Sequence, residues 1–219
     1  MKRFSTDVVV IGTGGAGMMA ALEVFDKGAE VLTLGKGAVG KGTCTSMAGG
    51  IFSLSSAELS PRESLDATAT AIREAMGPSG YSTQEHYEAT METGRGINDP
   101  RLVELVTGGA RDCIERLKDL GVALLDFPRG CMMNNQGNKK DIPGMALVES
   151  MKNVLEGRGI SSLPGFHCLE LLIEDGRVAG VLGLTSQGEP AVISAPSVIL
   201  ATGGAGAIYK RHDNSAGIT

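Results

Sequence analysis

Apolar positions near the N-terminus change period twice. Residues 8–11 (Val-Val-Val-Ile) form an unbroken apolar run, Met18, Ala21, Leu22 and Phe25 recur at helical spacing, and residues 30–34 lead into a second apolar run. The pattern predicts a strand over 7–11, a helix over 16–26 stopped at Gly28 and a strand over 30–34, a β-α-β unit with a right-handed crossover. Helical signals follow. Ser60 and Glu63 with Pro61 at the first helical position make a capping box ahead of Leu65, Ala69, Ile72 and Met76, and Ser82 with Glu85 repeats the signature. Asp99-Pro100 opens a longer helix ending near Gly121, on which Leu102, Val106, Ala110, Cys113, Ile114 and Leu117 are expected to share a face. Gly108 and Gly109 each cost about 1 kcal/mol relative to alanine within it.

Residues 127–143 are polar and turn-rich and read as an exposed loop before a helix over about 145–156. Beyond that helix the period becomes two. Asp175-Gly176 separates two strand patterns at 168–174 and 178–184, and Gln187-Gly188 precedes a third at 191–194, so 160–196 reads as an antiparallel meander. The chain returns through 197–201, an apolar run suited to a buried parallel strand, into Thr202-Gly203-Gly204-Ala205-Gly206. The expected class is α/β: one Rossmann-like domain over 1–219 with a parallel sheet, a small meander and a largely helical insertion at 55–158. There is no internal repeat.

Composition narrows the function classes. With 219 residues, 42% of them hydrophobic, and mean hydropathy +0.06, the chain suits one globular core. A formal charge of −5 with scattered Lys and Arg argues against nucleic acid as a partner. Cys44, Cys113, Cys131 and Cys168 are too dispersed for a zinc or iron–sulfur site, and reduced thiols suit a cytoplasmic setting. No apolar run approaches a membrane span, and Asp7 and Gly12 interrupt anything resembling an export signal.

The chemistry starts at the turn Gly12-Thr13-Gly14-Gly15-Ala16-Gly17, placed where a strand hands over to a helix. Gly12 suits a tight turn, Gly14 lets backbone approach a pyrophosphate, and Gly17 lets helix pack on strand. The anion then meets free amides at the helix N-terminus. A nicotinamide dinucleotide would call for an acidic residue at the end of the second strand, where this chain has Gly35-Lys36. Lys36 could meet the extra phosphate of NADP, although an ordinary solvated lysine just past a strand explains it better. The small-residue track through Gly40, Gly42, Thr43, Cys44, Thr45, Ser46, Ala48, Gly49 and Gly50 favours flavin, because a broad ring system has to lie close to that backbone.

These motifs together resemble the flavoprotein subunit of the succinate dehydrogenase/fumarate reductase family, which includes L-aspartate oxidase. The resemblance is carried by 7–17, by 40–51 ending in Met47-Ala48-Gly49-Gly50-Ile51, and by Val198-Ile199-Leu200-Ala201-Thr202-Gly203-Gly204-Ala205-Gly206-Ala207-Ile208-Tyr209. It implies extended FAD, with pyrophosphate on Gly14, Gly15, Ala16 and Gly17 and the adenosine ribose near Gly35 and Lys36. It further implies adenine beside the backbone of His167 and Cys168 and beside Ala201, Thr202 and Gly203, and isoalloxazine along 43–50.

Departures refine the expectation. Thr43 stands where members with covalent flavin carry histidine, so FAD is expected to be noncovalent. Asp141-Ile142-Pro143-Gly144 replaces a His-x-Thr-Gly pattern, which leaves the substrate open. The family continues past the position of Thr219 into a Gly-Asp-Gly, a capping domain and a substrate-binding His and Arg, so the chain is expected to be the N-terminal FAD-binding portion, completed by a further half or by an electron-transfer subunit. Arg95, Arg129 and Arg211 qualify as acids by residue type alone, while His86 and His212 read as solvated and His167 as adenine-side or packed. A noncatalytic FAD-carrying module and an NADP-binding reductase are the alternatives.

Overall fold

The computed structural model describes residues 1–54, 82–127, 130–134, 142–215 and 218. The helix expected after Ser60, together with Arg129 and Asp141, lies outside the described residues. In chain order the elements are β1 (Lys2–Ser5), β2 (Val8–Ile11), α1 (Gly15–Asp26), β3 (Val31–Gly35), a 3-10 turn (Thr45–Met47), β4 (Ile51–Ser53), α2 (Thr83–Thr93) and α3 (Pro100–Asp119). They continue as β5 (Leu124–Phe127), β6 (Gly130–Met133), α4 (Pro143–Gly157), β7 (Ser161–Pro164), β8 (His167–Glu174), β9 (Arg177–Leu184), β10 (Pro190–Ser194), β11 (Ser197–Leu200) and a 3-10 turn (Gly206–Ile208). The chain divides into two compact units, one of residues 1–48 with 144–219 and one of residues 49–143.

The first unit is built on a four-stranded parallel sheet in the order β11-β2-β3-β7. Because side chains alternate across a strand, Val9 and Ile11 face one side with Leu32 and Leu34. There they join Phe166, Val181, Ala191, Ile193 and Ala195 in a buried cluster, so the antiparallel strands β8, β9 and β10 cover that face. On the other side α1 packs against β2, β3 and β11, burying Met18, Ala21 and Leu22 completely. The Asp175-Gly176 turn takes φ of 49° and 74°, the paired left-handed geometry that a two-residue hairpin requires.

Three local expectations change here. Residues 161–164 leave the expected meander and pair with β3 as the outer parallel strand, through short Ser and Pro residues that suit an edge. The meander instead gains β1 beside β10. The 197–201 run is parallel as expected, but it lies at the opposite edge of the sheet and Leu200 is exposed.

The second unit holds α2 and α3, which pack together, and an antiparallel sheet in the order β4-β6-β5. Strand β6 falls within the stretch expected to be an exposed loop: Cys131 and Met133 are buried despite their polar neighbourhood, because β6 pairs on both sides. The Ser82 capping box forms in full, Glu85 N donating to Ser82 Oγ at 3.1 Å and Ser82 N to Glu85 Oε2 at 2.7 Å. On α3 the buried positions are Val103, Thr107, Ile114 and Leu117, whereas Leu102, Val106 and Cys113 are exposed. Adjacent Leu102-Val103 and Leu105-Val106 pairs support two registers. Packing selects the one through Thr107, whose hydroxyl is satisfied by donating to the Val103 carbonyl at 2.9 Å. His86 is buried on α2 rather than solvated, and burial lowers its pKa.

Candidate cofactor site

Parallel strands place their C-terminal ends on one side, and the loops leaving them share that side. At β2 the chain turns at Gly12, with φ 115° and its N–H donating to the Leu34 carbonyl at 2.8 Å. A Cβ at Gly12 would collide with the Ala201 carbonyl oxygen, and one at Gly17 with the Gly12 carbonyl oxygen. Both glycines are therefore demanded by close approach, Gly12 to the exit of β11 and Gly17 to the strand–helix turn. Gly14 is the N-cap of α1 and offers no side-chain cap, so the first-turn amides of Gly15, Ala16 and Gly17 carry the positive end of the helix without an acidic residue beside them.

The neighbouring strand ends close around this turn. Gly35 ends β3, its carbonyl accepting from Phe166 N at 2.9 Å, and a Cβ there would lie 2.7 Å from Thr13 Oγ1. Thr13 is a buried residue of the site that the glycine spacing did not single out. Lys36 follows, exposed, and no carboxylate ends β3. His167 is exposed and Cys168 half-buried at the start of β8, where burial pushes the Cys168 thiol up. Past β11, Ala201 N donates to the Ile11 carbonyl at 2.8 Å, and Thr202 and Gly203 are exposed beyond it. The sheet order puts the switch point between β2 and β11, with β3 on the other flank of β2.

The small-residue track is a stapled turn. Thr43 Oγ1 donates to the Gly40 carbonyl at 2.8 Å, Ser46 Oγ donates to the Thr43 carbonyl at 2.7 Å, and Gly42 takes φ 70°. Gly15 N donates to Thr45 Oγ1 at 2.9 Å, which brings the track to the cradle. Gly144, in the segment that departs from the family pattern, donates its N–H to the Ala48 carbonyl at 3.0 Å and has no room for a Cβ against the Thr45 carbonyl oxygen. Cys44 is exposed. Gly49 and Gly50 belong to the second unit, where Gly50 has φ 71° and its carbonyl accepts from Met133 N at 2.8 Å.

Glycines that no Cβ could replace, a helix start with a glycine N-cap and no acidic residue in its first turn, and the absence of an acid at the end of β3 fit a dinucleotide whose pyrophosphate approaches backbone. Residues 7–218 match the family described as FAD binding domain. The chain belongs to that family. Among curated relatives of this FAD-binding domain, one subunit of the fumarate reductase (CoM/CoB) of Methanothermobacter marburgensis is 32% identical over 97% of this chain and 37% of its own length. The L-aspartate oxidase of Vibrio cholerae is 28% identical over 97% of this chain and 40% of its own length. The Sdh1 complex of Mycobacterium smegmatis in the apo form superposes with TM-score 0.76 at 26% identity, covering 99% of this chain and 37% of that one. The domain thus spans between a third and two-fifths of the length of these relatives. As an FAD-binding domain it is similar in sequence and fold to the corresponding part of these fumarate reductase and Sdh1 relatives. Among the described residues no helix is long and apolar enough to cross a membrane, and no cluster of His, Cys, Asp and Glu could hold a metal ion.

Proposed function

We propose that this domain holds FAD extended and noncovalently as the cofactor-bearing part of a cytoplasmic, fumarate reductase-like oxidoreductase. The supporting observation is the convergence of the Gly12 turn, Gly35 and Ala201 at the C-terminal ends of β2, β3 and β11. In this reading Gly14, Gly15, Ala16 and Gly17 receive the pyrophosphate and Gly35 and Lys36 the adenosine ribose. The backbone of His167 and Cys168, with Ala201, Thr202 and Gly203, encloses adenine, and Gly42, Thr43, Cys44, Thr45, Ala48, Gly49 and Gly50 follow the flavin. Bound flavin supplies the redox centre, while the chain binds and orients it. Thr43 has no ring nitrogen to link to flavin, and its hydroxyl is engaged with Gly40. The substrate acid and an electron-transfer partner are assigned to the further length found in the relatives or to another subunit.

Denaturing the purified protein and analysing the supernatant by chromatography tests the cofactor and its linkage together. FAD in the supernatant with a colourless pellet is expected. Flavin fluorescence retained on the denatured polypeptide would overturn the noncovalent assignment, and NADP without flavin would overturn the cofactor assignment.

A further inference from the structure

Thr45 lies within the track assigned above to the flavin ring, yet its hydroxyl is at the start of α1, where the pyrophosphate is placed. Its Oγ1 accepts from Gly15 N at 2.9 Å across thirty positions of sequence, and Gly15 is the first residue of α1. The same oxygen lies 3.0 Å from where a Gly15 Cβ would be and 3.7 Å from a Gly14 Cβ. A side chain at Gly15 would therefore crowd the hydroxyl. Thr45 is held there by its neighbours: Thr43 Oγ1 bonds to Gly40 and accepts from Ser46 N at 3.2 Å, Ala48 N donates to the Thr45 carbonyl at 3.2 Å, and Gly144 N anchors Ala48. Gly40, at φ 75°, has no room for a Cβ against the Val148 side chain of α4, so the base of this turn packs closely on that helix.

A hydroxyl carries one donor and two acceptor lone pairs. With one lone pair engaged by Gly15 N–H, Thr45 still has its O–H to give. The neighbouring groups on α1 are first-turn amides, themselves donors, and Gly14 contributes no side chain. An anionic oxygen seated at the start of α1 would accept from the Thr45 hydroxyl and from first-turn amides together. Resting on the FAD reading above, we infer that Thr45 is a pyrophosphate-binding residue, supplying from the flavin track the side-chain donor that the glycine N-cap of α1 does not.

The probes are ADP, which carries the adenosine and the diphosphate without the ring, and FAD. Both are titrated calorimetrically into flavin-stripped wild type, Thr45→Val and Thr45→Ser. Thr45→Val is expected to weaken ADP and FAD by the same factor, about tenfold, as befits loss of one hydrogen bond to a charged group. Thr45→Ser should stay within about threefold of wild type. Weakened FAD with unchanged ADP would overturn the inference by returning Thr45 to the ring, and unchanged binding of both would overturn it by making Thr45 a bystander. Should Thr45→Val fail to fold by circular dichroism, Thr45→Cys, a weak donor, carries the same comparison. Wild type that binds neither probe would overturn the FAD reading itself and this inference with it.

Discussion

Single residues at the cradle act through the space they leave empty. Gly17 sits against the Gly12 carbonyl oxygen with no room for a Cβ, so Gly17→Ala forces α1 away from β2. The expected loss is about 1–3 kcal/mol, as for overpacking elsewhere, read by urea unfolding, together with a lower FAD-to-protein ratio in the purified variant. His86 acts through charge. Its pKa in the folded chain is lowered by burial from the ordinary 6.5, so the unfolded chain binds the proton more readily. Stability from keeping it neutral is complete above pH 6.5 and declines as pH falls toward the depressed folded value. The urea midpoint of wild type should therefore fall more between pH 7.5 and 5.5 than that of His86→Gln. Equal slopes would remove His86 as the cause. The turn at Gly12 and the close strand–helix packing at Gly17 were legible in the sequence because strand and helix flank them, but the burial of His86 was not, since Gln84, Glu85 and Glu88 around it read as solvated.

Elements were legible where a local signal marks both ends. The Ser82–Glu85 box starts α2, Asp99 starts α3 by accepting from Arg101 N at 2.9 Å, and Gly121 at φ 82° follows its end. Ser82→Ala should lower stability by about 1 kcal/mol, seen as a lower denaturant midpoint at unchanged slope. An unchanged midpoint would mean that packing against α3 carries α2 without its cap. Elements that depend on partners elsewhere in the chain were not legible. Strand β6 is a strand because β4 and β5 flank it, and β7 joins the parallel sheet because β3 offers an edge. The face of α3 was misassigned at Leu102, Val106 and Cys113, because two apolar registers coexist there, while Ile114 and Leu117 are buried as expected.

At the scale of the molecule, cofactor binding and folding are linked, because the strand ends that form the cradle exist only in the folded first unit. At free FAD about one hundred times its dissociation constant, the linked stabilisation is about 2.7 kcal/mol. For a chain of this size that raises the melting temperature by roughly 5–11 °C. NADP at the same concentration should leave it unchanged, and a rise with NADP alone would contradict the assignment. The sequence by itself determined the β-α-β unit, the glycine turn between β2 and α1 and the hairpin at Asp175-Gly176, because each depends on neighbours within a few positions. Only the tertiary structure decided that Gly12 must clear Ala201, that Thr13 fills the space at Gly35, that Gly144 clamps the 45–48 turn, and that Thr45 reaches the first amide of α1. Those contacts join residues between 22 and 189 positions apart. No local pattern encodes such a distance; it appears only when the sheet brings the strand ends together.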